Sequence, residues 1–389
     1  MNPMERLRAA RPAHLDSPVD GHTRDRELSY AMAQSRQPRG RKITKPVWGL
    51  GLVSAATATA VVVGVAVSGT GGTTPRAPST SQAVAGGPVS SAPAVRLSAE
   101  QVLLTAAASS MKAPAEDGAY WYVESVLGSA DEAGDKVRYI VHTTTAHKMW
   151  IARSPKAASW FQDQNLGTKP AEGAEESWKQ DGSPTRWKVD AAKEKAGGSG
   201  RLAPMQLESR PGKPFGNQIN LGDKVVDLAG RNTSVAELQA LPTTPDELKK
   251  RLLSGYQGHG TESGEPEDAD SWLYQVTSGL LRDMPVKPAV RAAAYKVLAG
   301  LDGVRSLGEV TDAQGRRGQG VARTETWGNG RFERQLIIDP ETGVLLTDQI
   351  VAVEPTGDYA WAKPGTAIWW ESTLEAGWSD KVPPKISQP

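Results

Sequence analysis

The sequence predicts an α+β fold, an antiparallel β meander with helices over one face, set outside a membrane that the chain crosses once. Three observations carry this reading. The stretch Val47 to Val67 holds no charged residue, and as a helix it spans roughly 30 Å, the hydrocarbon thickness of a bilayer. A low-complexity stretch follows it. Beyond that, two groups of segments with strand period enclose a block with helical period.

Residues 1–46 form a basic tail with ten Lys or Arg against five Asp or Glu, a net of +5, and the remaining 35 against 39 give −4. Arg36, Arg39, Arg41, Lys42 and Lys45 crowd the N-terminal flank of the apolar stretch, and no charge follows it until Arg76. The positive-inside rule therefore places the N-terminus in the cytoplasm and the rest outside. Trp48 occupies an interfacial position, and the tail is suited to touch anionic lipid heads. A cleaved signal peptide is the rival reading, but its apolar core is shorter and its basic region is not a tail of this length. Pro12, Pro18, Gly21 and Pro38 interrupt the tail, leaving ELSYAMAQS as one short helix, so it is expected to be mostly disordered.

Residues 68–95 are nearly all Gly, Ser, Thr, Pro, Ala and Val with one charge, which cannot offset chain entropy and predicts a disordered stalk. The folded domain is expected over 96–389. Ser98 and Gln101 have capping-box spacing, and Val102, Leu103, Ala106 and Ala107 share one side of a helix ending near Lys112. YWYVESVLG and KVRYIVHTT alternate as half-buried strands, with 131–135 as the hairpin loop between them. Short strands are expected at His147 to Arg153 and near Arg186 to Val189.

The helical block opens with Ser234 and Glu237 as a second capping box and continues with Thr244, Pro245 and Glu247 starting PDELKKRLLSG. An acidic loop, Gly258 to Asp270, precedes two amphipathic helices, SWLYQVTSGLLRDM and PAVRAAAYKVLAGL, parted by Pro285. Strands are then predicted at Val304 to Val310, Gly320 to Trp327, Phe332 to Asp339, Val344 to Val353 and Thr366 to Trp370. Gln314-Gly315, Gly328-Asn329-Gly330 and the DPETG of 339–343 supply the turns.

Composition excludes more chemistry than it suggests. With 45 basic and 44 acidic residues the chain has no global pull toward nucleic acid. The absence of cysteine removes disulfides, thiolate metal sites and cysteine nucleophiles, including a zinc-type anti-sigma motif in the tail. No HExxH, GxSxG, phosphate loop or dinucleotide fingerprint is present, so no cofactor is expected. His142 and His147 are the best metal candidates. Five positions apart, they fall on opposite faces of one strand or on separate strands, and they read as exposed strand histidines. Glu262, Glu265, Glu267, Asp268 and Asp270 lack the ligand spacing of a calcium loop and read as a solvated acidic run. Trp121, Trp150, Trp160, Trp178, Trp187, Trp272, Trp327, Trp369 and Trp370 suit packing against a curved sheet better than stacking on sugar rings. Asn232-Thr233-Ser234 matches the glycosylation sequon but overlaps a helix cap.

A basic tail, one helix, a Pro/Ser stalk, a YWYVES first strand and a late IIDPETGVLL hairpin together resemble a family of uncharacterised single-pass envelope proteins of actinobacteria. Members are often encoded beside extracytoplasmic-function sigma factors. Their outer domain is similar to the half-barrel of bacterial lipoprotein carriers and of sigma-regulatory periplasmic sensors. The resemblance implies a binding or sensing role and assigns no site residue. The expected protein is thus a non-enzymatic, membrane-anchored extracytoplasmic module, with the lipid bilayer, an apolar or envelope ligand and a cytosolic regulator as partners. The alternatives are an exported cell-wall glycan hydrolase and a passive structural protein of the envelope.

Overall fold

The computed structural model describes residues 97–113, 117–189, 205–219, 221–261 and 266–383, together with the backbone of 59–60. The basic tail, the stalk and the expected membrane helix lie outside the described residues, except for Thr59–Ala60, which form a two-residue strand, β1. Among the described residues no helix is long and apolar enough to cross a membrane.

Helix α1 (Ala99–Ser110) starts where its capping box predicts: Ser98 Oγ accepts from the Gln101 amide at 3.1 Å, and Gln101 Oε1 accepts from the Ser98 amide at 2.9 Å. Val102, Leu103, Ala106 and Ala107 are its buried stripe. Three strands follow as successive hairpins, β2 (Tyr120–Ala133), β3 (Tyr139–Ala152) and β4 (Ser159–Pro170). Here the structure departs from the sequence reading. Strand β2 runs to Ala133, so Asp131 is a buried strand residue instead of a loop residue, and the strand expected at His147 to Arg153 is the second half of β3, which ends at Ala152. The polar run Thr143 to Thr145 breaks the apolar alternation, but pairing on both flanks carries the strand through it.

A short helix α2 (Glu175–Gln180) leads to a small two-stranded sheet, β5 (Arg186–Val189) with β6 (Met205–Glu208), which packs Trp187, Val189 and Leu207 onto Ala133, Tyr139 and Val141. Strand β7 (Phe215–Ile219) pairs with β4, and β8 (Val226–Leu228) with β9 (Arg231–Thr233). The helical block is α3 (Val235–Gln239), α4 (Pro245–Leu253), α5 (Ala269–Asp283) and α6 (Pro288–Ala299). Ser234 and Glu237 close the expected capping box on α3. Thr244 instead turns its hydroxyl to the Glu247 carboxylate at 2.6 Å, and α4 begins on Pro245.

The chain ends in a five-strand meander, β10 (Val304–Thr311), β11 (Arg317–Trp327), β12 (Gly330–Ile338), β13 (Leu345–Pro355) and β14 (Thr366–Ser379). The last strand extends nine residues beyond the expected Trp370 because it finds a long partner: it pairs with β2, from Trp369↔Ser129 to Ser379↔Tyr120. The first and last hairpin groups thereby merge into one antiparallel sheet in the order β10-β11-β12-β13-β14-β2-β3-β4-β7, open at both edges, with β1 against β14. Residue 128 must be glycine at this seam, since the Trp370 ring lies where a Cβ would stand. Helix α5 rests on β11, β13 and β14, and α6 packs between α5, α4 and α1. Trp272, Tyr274 and Tyr295 are fully buried in these helices, and Trp121, Trp150, Trp187 and Trp370 are buried along the strands.

Candidate functional site

The face of the sheet beneath α5 carries a stripe of polar and charged side chains where a fold of this size would ordinarily be apolar. Strand alternation and register place them. Asp348 on β13 pairs with Glu371 on β14 and with Leu336 on β12, two residues from Arg334. Glu371 pairs with Leu127 on β2, two residues from Ser125; Ser125 pairs with His147 on β3, and His147 with Asp163 on β4. Side chains two apart on a strand share a face, so one continuous line runs across six strands.

Helix α5 closes this line from above through its last two residues. Arg282 reaches Asp348 Oδ2 at 3.3 Å, Glu371 Oε2 at 3.0 Å and Asp283 Oδ2 at 3.1 Å. Arg334 donates twice to Asp348, at 3.0 and 2.6 Å, and Ser125 Oγ donates to Glu371 Oε1 at 3.0 Å. An aspartate ending a helix faces the negative end of the helix dipole, which is unfavourable alone, and the neighbouring guanidinium offsets it. The Asp283 carbonyl accepts from Trp121 Nε1 at 2.8 Å, fixing the helix end to β2. Asp348 is fully buried and Arg334 is 3 % exposed.

Burial works against the charge on Arg282, but Glu371, Asp283 and Asp348 outweigh it and raise its pKa. Burial raises the pKa of Glu371, with the Asp283 charge adding to the rise and Arg282 opposing it. Burial alone would lower His147, yet the Asp163 carboxylate at 2.5 Å from Nδ1, assisted by Glu371 and Asp283, raises it. His147 and Glu371, like Arg282 and Arg334, thus hold a proton more tightly than usual in the same line of contacts. Under the first half of α5, burial pushes Glu325 up to about 7 and also raises Glu267, while Tyr274 Oη, Thr277 Oγ1, Glu325 Oε1 and Glu267 Oε2 are buried without a partner.

The sequence-level candidates are distributed otherwise. His142 and His147 share β3 and face opposite sides, but both are half-buried, in place of the exposed positions expected, because each is covered by a neighbour: Trp370 stacks edge-on against His142, and Asp163 takes His147. The acidic run is not simply solvated. Asp268 caps α5, accepting from Asp270 and Ser271 amides at 3.0 Å, and pairs with Arg323 at 3.2 Å; Glu267 turns inward. Glu262 and Glu265 lie outside the described residues. Among the described residues no three His, Asp or Glu side chains converge as metal ligands. The outer face of α1 bears a depression of about 490 Å³ lined by Leu97, Gln101, Leu104, Thr105, Ala108 and Lys112.

The ion stripe was not foreseen in the sequence, although a signal existed: Arg334, Asp348 and Glu371 each interrupt an apolar strand run, in FERQLII, LLTDQIV and IWWEST. No family model, no curated protein and no solved structure matches the chain.

Proposed function

We propose that this chain is a membrane-anchored extracytoplasmic binding or sensing protein and not an enzyme. In this reading residues 47–67 hold it in the bilayer and the tail of 1–46 meets a cytosolic regulator. The sheet, curled as a half-barrel under its helices, engages an apolar or envelope ligand. The family resemblance ties that role to envelope-stress sigma-factor regulation. One observation supports binding over catalysis: Asp348 and Glu371 are engaged by Arg282 and Arg334 beneath a helix, whereas glycan hydrolysis needs two carboxyl groups facing each other across open space. A helix held to a sheet by ion pairs is also a contact that protonation or a bound partner can rearrange.

Native mass spectrometry of the full chain, released from membranes in detergent, tests this. A retained mass from a co-purifying envelope ligand is the expected result. A bare mass together with hydrolysis of cell-wall glycan would replace binding by catalysis, and a bare mass with no such activity would leave a structural protein.

A further inference from the structure

The central pairing of the sheet stops short at one end. Strands β14 and β2 pair from Ser379↔Tyr120 to Trp369↔Ser129 and then part. Beyond that point Ala130 to Ala133 of β2 pair with β3 on one side, while Ala367 of β14 pairs with Val351 of β13 on the other. The two strands form a fork whose inner backbone edges face each other. Ala130, Asp131 and Ala133 are buried there, and buried backbone groups must find hydrogen-bond partners. Three buried side-chain atoms at the fork also have no partner: Asp131 Oδ2, Trp370 Nε1 and His142 Nε2. His142 pairs with Ala130, and its ring lies 5.9 Å from that of Trp370.

A third strand enters this fork. β1 pairs antiparallel with β14, Thr59↔Ala367 and Ala60↔Thr366, and lies against β2 and β3. The sequence around it, TATAVVVGVAV, is uncharged and dense in β-branched residues, which favour strands. The 36 residues from 61 to 96 can extend about 120 Å, several times the roughly 19 Å radius of a domain of this length, so the chain reaches the fork without constraint.

We propose that the fork is a strand-acceptor site whose occupant is the chain's own segment around Thr59–Ala60, giving the stretch 47–67 two alternative seats: a helix in the bilayer or an added strand in the sheet. As a strand it supplies backbone partners to the β14 edge of the fork and lies alongside the β2 edge. As a helix it satisfies its backbone internally, which the bilayer requires. Residues at the bilayer centre cannot also lie in the sheet, so the two seats exclude each other. This goes beyond the binding reading, resting on it only for the bilayer seat.

The chain has no cysteine, so an engineered pair reports without ambiguity. Thr59→Cys/Ala367→Cys places two thiols on paired positions, within the Cα separation a disulfide needs. Thr59→Cys/Gln218→Cys is the control, its second thiol on β7 at an edge of the sheet. The full chain is made by cell-free synthesis with or without nanodiscs of phosphatidylglycerol and phosphatidylethanolamine. Without nanodiscs, the paired variant is expected to form an intramolecular disulfide about tenfold or more faster than the control. Nanodiscs are expected to suppress it as the chain co-floats with them. Equal rates for the two variants without nanodiscs would overturn the proposal, and so would a disulfide-linked dimer, which would give the fork to a second copy. A bridge that persists with nanodiscs, in a chain that does not float, would remove the bilayer seat and the anchor reading with it, and leave the strand seat standing.

Discussion

Asp348 has no access to water, and both of its oxygens are held by guanidinium groups, from Arg334 on the neighbouring strand and Arg282 on α5. Desolvating so many charges offsets most of what their attraction contributes, so the cluster as a whole adds little to stability over a well-packed apolar one. Removing a single member is different, because it strands the others without compensation. Asp348→Ala is expected to cost about 3–5 kcal/mol, whereas the paired change Arg334→Met/Asp348→Leu should recover a large part of that loss; thermal denaturation of the two variants checks this. The stripe contributes specificity. A slip of one residue in β13 or β14 would move Asp348 or Glu371 to the other face, away from Arg282, so the register is fixed as firmly by charge as by packing.

Elements were legible in the sequence wherever their signal was local. Caps named the starts of α1 and α3, Pro285 parted α5 from α6, and the glycines of the late turns, Gly315, Gly330 and Gly343, take the positive φ that those turns require. Because the Ser98 box is fully formed, Ser98→Ala should lower stability by about 1 kcal/mol, read as a shift in the urea midpoint with an unchanged slope. Elements defined by a distant partner were not legible. The far half of β14 reads LEAGWS, with little strand character, and is a strand because β2 lies beside it. Strand β5 stands where the sequence placed it, near Arg186 to Val189, but the brief strands β6 and β7 carry too few residues for a period to show. The ion stripe escaped for the same reason: its members come from seven elements, and single charges within apolar runs give no hint of which of them meet.

Across the whole molecule, four buried titratable groups share a direction, and His142, which burial lowers to about 4, opposes them below its ordinary value. His147, Glu371, Glu325 and Asp131 all bind a proton more tightly in the folded chain than in the unfolded one, the last two with values of about 7 and about 8 that burial produces. Their stabilising contribution is complete below the unfolded values, about 4 for the carboxyl groups and about 6.5 for histidine, and is lost as pH rises through the folded ones. Glu124 and Asp268, whose values are lowered despite the opposing effect of burial, act oppositely and lose their contribution only in acid. The Tm should therefore fall as pH is raised from about 6.5, above which the opposing contribution of His142 is complete, to about 8.5, and Asp131→Asn, which removes a carboxyl group lacking a partner on Oδ2, should flatten the upper part of that fall. A Tm that climbs over this range would contradict the assignment.

The adjacency of β2 and β14 also bears on biogenesis. These strands stand side by side at the middle of the sheet although some 240 residues separate their first residues along the chain. During vectorial synthesis, β2 and β3 emerge early and wait with a long unpaired edge until the final strand is delivered. Nearly the entire polypeptide must therefore be made before the two halves can dock, and a ribosome stalled before Thr366 would release a product with its central seam exposed and prone to aggregate.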